Sequence, residues 1–156
     1  MKKLTPIKQY LLGFGLILLA LLIAVLTIFY LAMKPRLDAE KQATNTAITY
    51  GKLTETSNVD LYNGKSSYYS IYGKTASGES EIVTVGEKNG EVYINDLSKG
   101  ISKKEAETVA TENGASSVTK VVFGIYDKMP IWEVEADNGY YLVDFETREL
   151  IKKEGL

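Results

Sequence analysis

A run of 24 residues without a charged side chain, residues 10–33, limits what this 156-residue chain can fold into more than any other feature. As an α-helix the run would be about 36 Å long, at about 1.5 Å per residue, and the hydrocarbon core of a bilayer is about 30 Å thick. Tyr10 and Tyr30 lie near its two ends, where aromatic side chains commonly meet the membrane interface. Residues 10–33 are therefore predicted to be a transmembrane anchor, preceded by a short segment, residues 1–9.

A cleaved signal peptide is the alternative interpretation of this run. The apolar part of a signal peptide has only about 7–15 residues and is followed by a small-x-small cleavage site. Here the bulky Tyr30 stands where a small residue is needed, and the chain has no Cys for a lipid anchor. The length of the run and the residues at its end both favour an anchor that is retained.

Charge is divided unevenly along the chain. The first 36 residues carry five basic side chains and no acidic one, whereas residues 37–156 carry 13 basic and 20 acidic side chains, a net charge of −7. Three lysines before the run, Lys2, Lys3 and Lys8, slightly favour a cytoplasmic N-terminus and an extracellular location for residues 37–156. The acidic character of residues 37–156 argues against binding of nucleic acid.

Pro35 follows the anchor and is predicted to end or kink it, because proline lacks a backbone N–H and disfavours a helical residue before it. Asp38 is placed to cap a second helix. Alanines recur every four residues in that helix, at Ala39, Ala43 and Ala47. Because small side chains on one face allow close approach, this helix is expected to pack closely on a sheet or on another helix.

Strands are predicted next, as a series of hairpins. Asn-Gly pairs at 63–64 and 89–90, with a Ser-Gly pair at 77–78 between them, separate runs that have the character of strands. An Asn-Gly pair between alternating runs is the strongest short-range hairpin signal in a sequence. The first half of the exported part is therefore predicted to be a helix followed by antiparallel strands.

The second half repeats this plan. Ser102 and Glu105 form a capping-box pattern, and Gly114 is placed as the glycine that ends the helix. The strands that follow include 131–136 and 140–145, and alternation gives the two a common core face. The predicted core residues on that face are Trp132, Val134, Tyr141, Val143 and Phe145.

These patterns predict an α+β protein with a single N-terminal transmembrane helix and two further units, each with one helix packed on an antiparallel β-sheet. The units are expected at residues 37–98 and 99–156. A unit of about 60 residues buries only about 60% of its unfolded surface and is marginally stable by itself. The two units are therefore expected to pack against each other.

Residues suited to catalysis or metal binding are scarce. The chain has no His and no Cys, which excludes imidazole and thiolate chemistry. Ser117 and Lys120 match an S-x-x-K pattern, but they enter a strand-like run, in which positions three apart face opposite sides. Glu133 and Glu135 are interpreted as the solvated face of a strand. We therefore expect no catalytic site, no cofactor and no metal.

Tyrosines provide the candidate binding surface. Alternation places Tyr68 and Tyr72 on one strand face and Tyr69 and Ile71 on the other. If Tyr69 and Ile71 face the core, Tyr68 and Tyr72 form an exposed pair of the kind enriched at protein interfaces. Packing of these tyrosines between the two halves is the alternative, and the pattern supports it equally.

Residues 114–152 resemble the PepSY domain family. The resemblance lies in the order of a helix ending at Asn113-Gly114, a strand at 118–126, the segment Met129-Pro130-Ile131-Trp132-Glu133-Val134 and a turn at 137–139. It continues through Leu142-Val143-Asp144-Phe145-Glu146-Thr147 to a closing strand. Family members commonly have a Gly where this chain has Arg148, a departure that concerns only the geometry of that turn.

Over essentially its full length the chain resembles the TseB-like cell wall elongation regulators of Gram-positive bacteria, which have one N-terminal span and two PepSY-like units. The first-half stretch 62–73 fits that family as well. The resemblance implies an anchored extracytoplasmic protein that is not an enzyme. It also implies a role in regulating peptidoglycan synthesis by binding a class B penicillin-binding protein or another envelope protein. An inhibitor or chaperone of an exported protease, on the same fold, is the alternative.

Overall fold

The computed structural model describes residues 5–155, and the predicted α+β class is confirmed: two helices and two four-stranded antiparallel sheets are formed by these residues. The first helix, α1, spans Pro6–Gly51. Sheet A contains β1 (Leu53–Asn63), β2 (Ser67–Thr75), β3 (Ser80–Gly86) and β4 (Val92–Asp96). A short 3-10 turn, Leu97–Lys99, leads to α2 (Lys103–Glu112). Sheet B contains β5 (Val118–Tyr126), β6 (Met129–Ala136), β7 (Gly139–Asp144) and β8 (Leu150–Glu154).

The apolar part of α1 is exposed, and it is long and apolar enough to cross a membrane. Lys2 and Lys3, on which the predicted orientation partly rests, lie outside the described residues. The sequence led us to expect that the helix would end or kink at Pro35 and that Asp38 would cap a second helix. Instead, Pro35 and Asp38 both lie inside α1, which continues to Gly51. Proline disfavours a helix interior by about 3 kcal/mol, and burial of Ala43 and Ala47 beyond it stabilises the continued helix.

The chain divides into two compact units between Ala39 and Glu40. The second unit contains the end of α1, α2 and both sheets. The division of this unit at residues 98–99, like the bounds of the anchor, stays a prediction.

Local sequence signals in both halves correspond to the turns and caps of the structure. In sheet A the order is β1-β2-β3-β4, and the predicted turns at 63–64, 77–78 and 89–90 lie at its three connections. The capping box is confirmed, because the Ser102 hydroxyl accepts from the Glu105 N–H and the Glu105 carboxylate accepts from the Ser102 N–H at 2.7 Å. Gly114 has a φ of +95°, which favours glycine at the end of α2.

Each sheet packs against a helix. Ala43 and Ala47 of α1 are buried, and Gly51 follows on the same face. A Cβ atom added to Gly51 would lie 2.4 Å from Val83 Cγ2, so the end of α1 packs directly on β3. In sheet B, ordered β5-β6-β7-β8, the sheet and α2 enclose a core that contains all five predicted core residues, each of them buried: Trp132, Val134, Tyr141, Val143 and Phe145.

Aromatic contacts organise this second core. The Phe123 ring lies edge-on to the rings of Trp132 and Phe145, with centroid distances of 5.1 and 5.2 Å. Trp132 and Phe145, paired in the core by the sequence pattern, have centroids 6.4 Å apart. The indole N–H of Trp132 donates to the carbonyl of Ile101 at 2.9 Å, so its one polar atom is satisfied. Ile82 of β3 belongs to the same core, which therefore draws on both sheets.

A buried polar contact joins sheet A to sheet B. Asp60 of β1 is only 8% exposed, and its Oδ2 atom accepts from the Tyr72 hydroxyl at 2.6 Å and from the Phe123 N–H at 3.3 Å. The Ser70 hydroxyl lies 3.0 Å from the Thr84 hydroxyl and donates to the carbonyl of Phe123 at 3.0 Å. Both backbone polar groups of Phe123 in β5 are thus bonded to side chains of sheet A.

We expect Asp60→Ala to lower the free energy of unfolding by about 2–4 kcal/mol, because the Tyr72 hydroxyl and the Phe123 N–H would lose their buried acceptor. Urea unfolding of the full chain in detergent micelles, followed by the fluorescence of its single Trp, measures this change. Asp137→Ala is the matched control, since Asp137 is exposed. Equal effects of the two substitutions would contradict the role given to Asp60.

Candidate functional site

A groove lies on the face of sheet B that is turned away from α2. Its volume is about 590 Å³, its floor contains side chains from all four strands, and the β1–β2 connection contributes a wall. We call it the sheet B groove. Its lining includes Leu61, Tyr62, Lys65, Lys120, Tyr126, Glu133, Glu135, Tyr140, Leu142, Lys152 and Glu154.

The strand register fixes the order of side chains on the groove floor. One row across the sheet consists of Val122, Glu133, Leu142 and Lys152, and the next consists of Lys120, Glu135, Tyr140 and Glu154. Glu135 therefore has Lys120 as its cross-strand neighbour, and cross-strand pairs of opposite charge stabilise a sheet. Glu133 lies between two apolar side chains instead, and both of them are buried.

This position changes the chemistry of Glu133. Burial raises the pKa of its carboxyl group from 4.5 to about 7, Lys120 acts in the opposite direction, and the negative charges of Glu135 and Glu154 raise the pKa further. Glu133 makes no ion pair with any of the described residues. A carboxyl group of this kind is half ionised near neutral pH and gains from a cation brought close to it.

Tyr62 forms the inner wall of the groove. Its ring lies directly over Gly124 of β5, where an added Cβ atom would be 2.3 Å from Tyr62 Cγ. The side chain is only 2% exposed, and its hydroxyl makes no hydrogen bond with any described residue. Burial raises the pKa of this hydroxyl, and the nearby Glu133 carboxylate raises it further, so Tyr62 stays protonated.

Lysines and Tyr126 form the rim. Lys65 pairs with Asp127 at 3.1 Å, and Lys152 forms an ion pair with Glu154. The Nζ atoms of Lys65 and Lys152 lie 5.1 and 5.8 Å from the centre of the Tyr126 ring, within the range of cation–π attraction. The rim lysines are thus already engaged, and a cation beside a tyrosine ring is a feature of this site.

The predicted exposure of Tyr68 and Tyr72 is wrong. Tyr68 is 7% exposed and packs with Tyr62 in a cluster that includes residues of β5, and Tyr72 is half-buried and bonded to Asp60. Both faces of β2 are covered, because sheet B packs on the face that the sequence pattern left open. The positions of Tyr68 and Tyr72 agree with the alternative interpretation, in which they pack between the two halves. Their role in partner binding stays a prediction, and Tyr72 also lines a smaller depression of about 280 Å³ beside β1.

Other residues considered for chemistry are dispersed. Ser117, with a φ of +50°, immediately precedes β5, and Lys120 lies on the strand with its side chain in the groove. No group of three or more Asp or Glu side chains within residues 5–155 is placed to hold a metal ion.

The residues that define the sheet B groove were not identified as a site from the sequence. Alternation places Glu133 and Glu135 together on the outer face, but it treats both as solvated. The sequence feature that could have indicated the groove is the apolar run at 121–125. A continuous apolar run is typical of a strand that is buried on both faces, and it therefore predicts that another part of the chain covers the outer face of β5.

Fold and site together define an α+β protein with an N-terminal helix of the kind that anchors proteins in membranes, and with a polar groove on its second sheet. Residues 42–86 match the family described as the cell wall elongation regulator TseB-like domain. The chain is 27% identical over 146 residues to the probable cell wall elongation regulator TseB of Bacillus subtilis (strain 168). The aligned region covers 89% of this chain and 91% of that protein. The resemblance to TseB-like regulators predicted from the sequence is confirmed.

A solved structure has the same fold. The YpmB protein from Bacillus subtilis superposes with a TM-score of 0.66 and 23% sequence identity, over 74% of this chain and 96% of that one. The likeness supports the arrangement of helices and sheets described above.

We expect the stability of the protein to depend on pH through Glu133. Because its pKa is raised in the folded state, the folded protein holds this proton more tightly than the unfolded chain does. The stabilisation is therefore complete below pH 4.5 and is lost as the pH rises to about 7. Glu133→Gln should remove this decline and leave the variant about 1–2 kcal/mol more stable than the wild type at pH 8, a figure reduced for partial solvent screening.

Urea unfolding of the full chain in micelles between pH 4 and pH 8 measures this difference. Glu107→Gln, an equal change of charge on the exposed face of α2, is the control and should leave the pH profile unaltered. A parallel profile for Glu133→Gln and the wild type would rule out the environment assigned to Glu133.

Proposed function

We propose that this protein is a membrane-anchored, extracytoplasmic regulator of cell-wall elongation that acts by binding a class B penicillin-binding protein. The observation that carries the proposal is the similarity over 89% of the chain to a probable cell wall elongation regulator. The exposed apolar helix agrees with an anchor. In this proposal the N-terminus is cytoplasmic and residues 37–156 lie outside the membrane.

The sheet B groove is the surface that we assign to binding. It combines three tyrosines with charged side chains of both signs, and tyrosine is among the residues enriched where proteins bind one another. Four strands and the ring of Tyr62 hold its floor and inner wall, so little conformational freedom would be lost on binding.

A role without catalysis fits the side chains that the chain offers. Ser117 and Lys120 are not on one turn of a helix, which the S-x-x-K mechanism requires, because Ser117 precedes a strand and Lys120 lies within it. The sequence supplies neither His nor Cys, so imidazole and thiolate catalysis are excluded. Regulation through binding is therefore the function we propose.

The orientation can be tested by labelling, because the chain has no Cys of its own. A Glu107→Cys variant of the full chain should react with a membrane-impermeant maleimide in intact cells, since Glu107 is exposed on α2. Lys8→Cys, on the other side of the anchor, should react only after the membrane is permeabilised. The reverse pattern would contradict an extracellular location for residues 37–156.

The partner can be tested by site-specific photo-crosslinking in cells. With the crosslinking residue in place of Tyr140, on the groove floor, we expect capture of a class B penicillin-binding protein, identified by mass spectrometry. The same residue in place of Glu107, on the opposite face, should not capture it. Recovery of an exported protease from the Tyr140 position would instead support the alternative, an inhibitor or chaperone, and recovery of no envelope protein would contradict both.

A further inference from the structure

We propose that the sheet B groove binds an arginine side chain presented by an extended segment of a partner protein, with Glu133 as the carboxylate that receives it. The inference rests on the proposed function in one respect: it assumes that the ligand is a protein. It names the chemistry that the groove recognises, which the resemblance to TseB-like regulators does not supply.

Among the described residues, the Glu133 carboxylate has neither an ion pair nor a lysine opposite it in the strand register. Lys65 is paired with Asp127, and Lys152 with Glu154. Glu135 has Lys120 opposite it in the strand register. Glu133 alone among these acidic side chains has apolar neighbours on both adjacent strands. Two of the three groove lysines, Lys65 and Lys152, are in ion pairs, so an anionic ligand would have only Lys120 to bind, whereas a cationic ligand supplies what Glu133 lacks.

A second polar group in the groove is also unpaired. Tyr62 is only 2% exposed, yet it lines the groove, and its hydroxyl makes no hydrogen bond within residues 5–155. A hydroxyl without a protein partner at a groove wall is available to a ligand that bonds to it. The Glu133 carboxylate accepts hydrogen bonds, and the Tyr62 hydroxyl can accept as well as donate, so a ligand with several donors can bond to both.

A guanidinium group fits this pair of acceptors. It is planar, always charged and carries five N–H donors, so it can bond to a carboxylate through two of them and to a hydroxyl through a third. Tyrosine rings at Tyr126 and Tyr140 line the same groove, and guanidinium groups stack on such rings. The Tyr126 ring already has two lysine ammonium groups near it, at 5.1 and 5.8 Å, so Tyr140 is the ring that we assign to the arginine.

The shape of the groove indicates a polypeptide as the source of the arginine. Its floor crosses four strands, and its volume of about 590 Å³ exceeds that of one side chain. Room therefore remains for the backbone on both sides of the arginine. A segment in extended conformation offers alternate side chains to one face, so a single arginine can enter while its neighbours point away.

Binding of this kind depends on pH, because the receiving carboxylate must be ionised. The charged and titratable groups that face Glu133 are Lys120 of β5, Glu135 of β6, Tyr140 of β7, Glu154 of β8 and Tyr62 of β1. With a pKa of about 7 for Glu133, the ionised fraction rises about tenfold between pH 6 and pH 8. The affinity for arginine should rise by the same factor.

The test uses three short peptides and the full chain in nonionic detergent micelles. The peptides are acetyl-Ala-Arg-Ala-amide, its citrulline counterpart, which has the same shape without the charge, and acetyl-Ala-Glu-Ala-amide. Titration calorimetry at pH 8 should show binding of the arginine peptide and at least about tenfold weaker binding of the other two. Glu133→Gln should weaken arginine binding about tenfold and abolish its pH dependence, while Glu107→Gln should change neither.

Tyr62→Phe keeps the ring over Gly124 and removes only the hydroxyl, so it serves if Glu133→Gln does not fold. It should weaken arginine binding severalfold and leave the pH dependence in place. Equal binding of the arginine and citrulline peptides would overturn the inference. So would tighter binding of the glutamate peptide that is lost in Lys120→Met, because the groove would then be a site for anions.

The outcomes for the partner and for the groove are separable. If crosslinking from Tyr140 recovers the class B penicillin-binding protein and Glu133→Gln leaves that yield unchanged, the proposed function stands and the arginine site is wrong. If the arginine peptide binds as expected and no class B penicillin-binding protein is recovered, the site stands and the proposed partner is wrong.

Discussion

The buried carboxylate of Asp60 is the contact on which the packing of the two sheets depends. It accepts hydrogen bonds from Tyr72 in sheet A and from the backbone N–H of Phe123 in sheet B, so each sheet satisfies polar groups of the other. A carboxylate buried without such donors is costly, which makes this one arrangement of the sheets strongly preferred. Gly124 follows Phe123 directly and lies under the Tyr62 ring. The inner wall of the sheet B groove is therefore positioned by the same contact that joins the sheets.

Two glutamates on one strand show how register alone produces different chemistry. Glu133 and Glu135 share a face of β6 and differ in what lies beside them on β5 and β7. Glu135 has Lys120 opposite, whereas Glu133 is enclosed by buried apolar side chains, and burial raises its pKa to about 7. A half-buried carboxyl group without a counter-ion lowers stability at neutral pH. Perturbed groups of this kind concentrate at functional sites, where they meet a ligand.

Short-range features of the fold were predictable from the sequence, and contacts between its halves were not. The Asn-Gly turns, the Ser102 capping box and the alternation around Trp132 depend on neighbouring residues, and they are present in the structure. Tyr68 was misplaced because alternation assumes that one face of a strand is open, whereas sheet B covers the second face of β2. The groove has the same origin: Tyr62 and Glu133 are 71 positions apart, and no periodicity within either half brings them together.

The size of the groove limits what it can contribute to a complex. A stable protein interface covers about 800 Å² on each partner, much more than one side chain and its neighbours bury. Most of the affinity in such interfaces comes from a few buried residues near the centre, among which arginine and tyrosine are enriched. An arginine held between Glu133 and Tyr62 would be such a centre. The paired lysines of the rim, Lys65 and Lys152, would lie around it and stay partly solvated. Because those rim lysines are paired within the protein, their repulsion of an arginine is reduced, and the discrimination between partners falls to Glu133.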